Sequence, residues 1–268
     1  MTFIHRLQSG SAVIALSLCS MAGSAYAQSE AESASGDGIQ DIVVTATRRA
    51  ANIQDIAIAV TAHSGERLSE LGIHNTTDLA SMTPGLQFSA PGGPPVAGLI
   101  SIRGVSQNDF AGHIEPANAF YVDEVYQPSN ATSVQEMFDI ARVEVLKGPQ
   151  GTLFGRNATG GLVHVITNQP GEELDGFVDV TLGSYNQVRF EGAVGGPLGD
   201  GISARVALLK NKADGYVKND LGADLLANDT WAGRFQMKLE PSSALTINLF
   251  ADWYKIKPVA TGGAMITG

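Results

Sequence analysis

The sequence predicts an α+β domain followed by the start of an antiparallel transmembrane β-barrel, incomplete at about five strands. Three observations carry this. Residues 51–170 interleave short helix and strand signals. Residues 171–268 instead hold long runs in which apolar and polar side chains alternate. Those runs approach the roughly 9–11 residues that a tilted spanning strand needs.

The first 27 residues read as an export leader. Arg6 stands ahead of a mostly apolar stretch from Ser11 to Gly23, and Ala25-Tyr26-Ala27 has the small-x-small form of a cleavage site. Leu18 precedes Cys19 where a lipoprotein signal needs a small residue. The formal net charge is −10, and loss of Arg6 makes it more negative, which excludes nucleic acid as a partner. Cys19 is the only cysteine, so the processed chain would carry no disulfide. No later apolar run reaches the length of a membrane helix, so any crossing must be made by strands.

Residues 28–50 form a flexible acidic leader ending in Asp41-Ile42-Val43-Val44-Thr45-Ala46. That strip is β-branched and favours an extended strand, yet nothing beside it in sequence offers packing. Ser64 can cap a helix through Glu66, Leu68 and Leu71 that stops at Gly72. Asn75 or Thr76 can cap a second through Leu79 and Met82, ended by Thr83-Pro84-Gly85. Strands follow at Leu86–Ser89, Leu99–Arg103, Ala119–Val122, Val143–Leu146 and Leu162–Thr167. Loose loops "APGGPPVAG" and "VSQNDFAGHIEPAN" separate the early ones.

The alternating runs contain Val178, Val180 and Leu182; Val188, Phe190 and Val194; Ile202, Ala204, Val206 and Leu208; Trp231, Phe235, Met237 and Leu239; and Leu245, Ile247, Leu249 and Trp253. Charged and polar residues such as Arg189, Arg234 and Asp252 take the positions between. A soluble β-sandwich would show the same period. Run length, tryptophans at run ends, and short connections (196–201, 241–243) set against a long one (211–229) favour a wall in lipid.

Together "DIVVTA", "ISIRGV", "FYVDEVY" and above all "RVEVLKGPQGTLFGRNATGG" (142–161) resemble the TonB-dependent outer-membrane receptors. "IAVTAHSGERLSELGI" and "LASMTPGLQ" are similar to the start of that family's plug domain. The resemblance implies a plug over 51–170 inside a barrel that begins at 171. It implies a TonB box at Asp41, Ile42, Val43, Val44, Thr45 and Ala46, captured as an added strand by periplasmic TonB and its inner-membrane energising complex. It implies plug–barrel contacts at Arg103, Arg142 and Glu144, with arginines meeting wall carboxylates beyond the end of this chain. Apical loops at Pro91–Val96 and at Gln107, Asn108, Asp109, Phe110, His113 and Glu115 would meet substrate. The expected role is energised uptake of a scarce bulky nutrient, foremost an iron–siderophore complex, across outer-membrane lipid. No cofactor and no catalysis are expected; a ferric chelate would be cargo. The alternative is a plug-like periplasmic binding module.

Other chemistry is weak. The glycines at 148, 151, 155, 160 and 161 lack phosphate-loop spacing and suit turns with positive φ. His63, His74, His113 and His164 show no metal-ligand spacing. Two departures from the family stand out. Glu124 follows Asp123 where glycine is common, and family barrels have about 22 strands. The second predicts a truncated piece, because open strand edges in lipid leave backbone groups unpaired.

Overall fold

The computed structural model describes residues 43–46, 48–49, 51–89, 98–107, 109, 114–129, 136–219 and 224–257. The export leader, Asp41, Ile42 and the loop expected at Pro91–Val96 lie outside them.

The globular domain is built on a five-stranded sheet. Its strands are β3 (Ala59–Ser64), β6 (Ala119–Val122), β7 (Val125–Tyr126), β8 (Ile140–Lys147) and β9 (Gly161–Thr167), in the order β3-β8-β9-β6-β7. Only the β6–β9 pairing is parallel. Side chains alternate across this sheet and serve two cores. Val143, Val145, Val163, Val165 and Phe120 face one way. They pack on Leu68 of helix α1 (Gly65–Glu70), on Leu79, and on Leu86, Ile100 and Ile102 of the hairpin β4 (Leu86–Ser89)–β5 (Leu99–Ile102). Leu146, Leu162, Ala119 and Tyr121 face the other way, onto Val44, Ala46 and Phe154.

Local signals place most of these elements. The Ser64 hydroxyl accepts from Arg67 N at 3.2 Å and starts α1, which ends before Gly72 at φ 67°. The second expected helix is instead a 3₁₀ turn, Asp78–Ser81, with Asn75 Oδ1 accepting from Asp78 N at 3.0 Å. Pro84 closely follows and prevents a longer helix. Sequence reading missed β3, although Val60 and Ala62 alternate with Thr61 and His63. Helix α2 (Gly151–Phe154) is a single turn between β8 and β9.

All five wall strands form, as β10 (Asp175–Gly183), β11 (Gln187–Gly199), β12 (Ile202–Ala213), β13 (Asn228–Ser242) and β14 (Leu245–Ile256). Each pairs antiparallel with the next. Among the described residues the sheet is open, and its polarity is inverted. Val178, Leu182, Val194, Leu208, Trp231, Leu249 and Trp253 are exposed, while Arg189, Arg205, Asn211, Thr230, Arg234 and Gln236 are buried. The short turns 199–202 and 242–245 share one end, and the 213–228 loop lies at the other.

Positive φ holds for Gly148, Gly155 and Gly161 but not for Gly151 or Gly160. At Gly161 (φ 143°) a Cβ would lie 2.1 Å from Leu146 O, whereas at Gly151 it would meet nothing within 4 Å. Gly161→Ala is therefore expected to cost about 3 kcal/mol in a denaturant-unfolding midpoint. Gly151→Ala, inside α2, should be neutral or stabilising by about 0.5 kcal/mol.

Candidate functional site

Two regions position the residues that the sequence singled out: the N-terminal strip with its docking surface, and the seam between globule and wall. In the strip, β1 (Val43–Val44) pairs antiparallel with β2 (Ala51–Asn52). Val44 and Ala46 are fully buried, while Val43 is half exposed. Thr45 N and Oγ1 both reach Glu144 Oε1, at 2.8 and 3.2 Å. This corrects the expectation of a lone strip without packing. Its partners are supplied by β6, β8, β9 and α2, far away in sequence, where local pattern cannot point. Asp41 and Ile42 lie outside the described residues.

Glu144 is also where Arg142 goes, with Nε donating to the same oxygen at 2.7 Å. Within the described residues this pair is an internal brace of the globule that holds Thr45. Arg103 sits at φ 51° with an exposed side chain, its N donating to Gly85 O at 2.8 Å. Among the described residues none of these three forms an ion pair with the wall.

At the seam, wall arginines meet acceptors on the globule with wall carboxylates beside them: Glu191 pairs with Arg189 and accepts from Asp139 N at 2.8 Å, and Asp252 accepts from Arg234 Nε at 2.7 Å. The stretch Glu136-Met137-Phe138-Asp139, just before β8, is its centre. Arg205 donates through Nε and Nη2 to Asp139 Oδ2 and Oδ1 at 2.7 and 2.6 Å, a bidentate pair with both side chains buried. A third donation, at 3.0 Å, reaches Asp175. Arg189 Nη2 donates to Met137 O at 2.9 Å, and Arg234 Nη1 to Phe138 O at 3.1 Å. The Arg234 guanidinium also lies 4.6 Å from the Phe138 ring centroid. Phe138 fills a dimple of Ala193, Ala207, Leu209 and Ala232 and meets Tyr254 edge-on at 5.9 Å. Glu136 Oε1 accepts from Asn211 and Asn228 at 2.7 and 2.8 Å, and burial raises its pKa against those two bonds.

A cavity of about 330 Å³ lies along the seam, bordered by Thr45, Arg142, His164 and Gln236. His164 is buried, and desolvation, then Arg142, then Arg48, lower it to about 4, so it is neutral near pH 7. Glu124 N donates to its Nε2 at 3.3 Å, which leaves the ring proton on Nδ1. Among the described residues no cluster of three or more His, Cys, Asp or Glu could hold a metal.

Of the expected substrate-facing residues, Asn108, Phe110 and His113 lie outside the described residues. Glu115 is half exposed, ion-paired with Arg156 at 2.6 Å and bonded to Asn157 Nδ2 at 3.2 Å. Gln107 and Asp109 are described and have partners. Sequence reading passed over Phe138, Asp139, Arg189, Arg205 and Arg234. The available signal was three arginines on the polar phase of strands whose other phase is apolar, a pattern that demands buried acceptors nearby.

Residues 52–162 match the TonB-dependent Receptor Plug Domain model. The chain is 34% identical over 207 residues to the pesticin receptor of Yersinia pestis, covering 75% of this chain and 30% of the relative. It is 28% identical over 234 residues to the ferripyoverdine receptor of Pseudomonas aeruginosa, covering 85% and 27%. In structure it is similar to the ferric yersiniabactin uptake receptor FyuA of Yersinia pestis, with a TM-score of 0.70 and 30% identity over 76% of this chain and 32% of that one. The chain thus spans about 30% of the length of the relatives it matches.

The seam generates a direct test. Asn is isosteric with Asp and equally at ease at the positive φ of 52° that Asp139 adopts, so Asp139→Asn keeps the shape while removing the charge and one of the two oxygens that accept from Arg205. Arg205 would be left buried with an exposed partner, Asp175. The expected loss is about 3 kcal/mol in thermal unfolding of the purified protein, with faster proteolysis of the globule.

Proposed function

We propose, for a chain that belongs to the TonB-dependent receptors and carries their plug domain, that the protein is an energy-coupled importer of a bulky scarce nutrient. Its place is the outer membrane. The observation that carries the reading is the inverted wall: apolar side chains outward, arginines inward, and a plug segment clasped by those arginines. Such a face suits lipid on one side and a plugged lumen on the other. It disfavours a periplasmic binding module, which would leave Val178, Val180 and Leu182 in water.

The cargo best supported is an iron–siderophore complex. The support is nominal: relatives are named for ferripyoverdine and for a catecholate siderophore, and a similar structure for ferric yersiniabactin. Others are named as vitamin B12 transporters, which keeps cobalamin as the second reading. Substrate would meet the plug near Gln107, Asn108, Asp109, Phe110, His113 and Glu115. The role is reception and transport, in line with relatives named as receptors and transporters.

In this reading Asp41–Ala46 is the TonB box, and the partner captures it by β-augmentation after it leaves its dock. Arg103, Arg142 and Glu144 would stabilise the plug against wall residues outside 175–257.

Val43→Pro deletes a backbone N–H on the strand that the partner must pair with. Energised uptake of a radiolabelled ferric siderophore is expected to fall to background while binding to whole cells persists. Normal uptake by that variant contradicts the assignment.

A further inference from the structure

The departure at Glu124 has a counterpart in the structure. Asp123 and Glu124 form the two-residue turn between β6 and β7 with φ 44° and 66°, both left-handed. Glycine would adopt the second position without strain; glutamate does not. What the glutamate adds is contact. Its Oε2 accepts from Arg48 Nη1 at 3.4 Å, whereas the N–H it donates to His164 Nε2 at 3.3 Å is backbone that glycine would supply as well.

Arg48 is the residue that closes the strip onto the plug. Its N donates to Thr45 O at 2.8 Å, its Nε to Leu153 O at 2.8 Å, and its guanidinium lies 4.9 Å from the Phe154 ring centroid. It too has a left-handed backbone, at φ 57°. While it is held, Val44 and Ala46 stay buried and β1 is already paired with β2. A partner cannot add a strand there until the segment lifts.

We propose that Glu124 and Arg48 form a clip that holds residues 43–46 on the plug and sets how often the strip is released. This rests on the reading of the strip as the partner-binding segment. Glu124 is a positioning residue: it acts on the strip through Arg48. The strained turn is retained for the carboxylate it places.

The test uses the full chain in native outer membranes without the partner. Ala46→Cys serves as a buried reporter for maleimide, with the parent chain as background and Val143→Cys, buried in the opposite core, as control. Glu124→Gln is expected to raise the Ala46→Cys labelling rate about threefold, the scale of an exposed ion pair. Glu124→Gly should raise it similarly while increasing the melting temperature, because strain is relieved. A purely structural role predicts that labelling and stability worsen together. Unchanged labelling in both variants overturns the proposal, as does an equal rise at Val143→Cys. Since no partner is present, a clip that opens as expected but yields a strip the partner ignores would refute the partner reading alone.

Discussion

Three buried arginines on the inner face of the wall constrain everything else. A guanidinium cannot lose its proton, so Arg189, Arg205 and Arg234 stay charged wherever the fold puts them. Burial is tolerable only if acceptors meet them: three consecutive residues of the plug, 137–139, accept from all three, and Glu191, Asp175 and Asp252 of the wall complete the set. Those residues are otherwise hard to account for. Asp139 has a left-handed backbone and no exposed side-chain surface, and Phe138 projects away from both plug cores. Each feature makes sense once the wall is present.

The same reasoning explains why the wall is apolar outside. With polar side chains of β11, β12 and β13 turned to the plug, the other phase is free to carry Val, Leu, Phe and Trp. Small residues at the inner positions, Ala193, Ala207 and Ala232, let Phe138 approach the strand backbones closely. Larger side chains there would push the plug off the arginines.

Much of the fold was legible in the sequence, and the physical reason is periodicity. The wall strands repeat every second residue over long runs, and the Ser64 cap and the turn at Thr83-Pro84-Gly85 are local signals. What was not legible was pairing at long range. The Thr45–Glu144 bond spans 99 residues, and Arg205–Asp139 spans 66. The pairing of wall arginines with residues 137–139 therefore has no local signal. The wall contact of Arg142 is an expectation of the family resemblance alone; its pairing with Glu144, two residues along the same strand, is a brace that only the fold reveals. The strip was read as unpacked for the same reason: its core partners come from β6, β8, β9 and α2.

The outward face against lipid is the claim on which the rest stands, and Trp231 and Trp253, the chain's two tryptophans, report on it directly. Their fluorescence should be quenched strongly when the protein sits in vesicles of brominated phospholipid and weakly by aqueous iodide, with each assigned by a single Trp→Phe variant. Quenching by iodide with no response to brominated lipid would place that face in water and contradict the account.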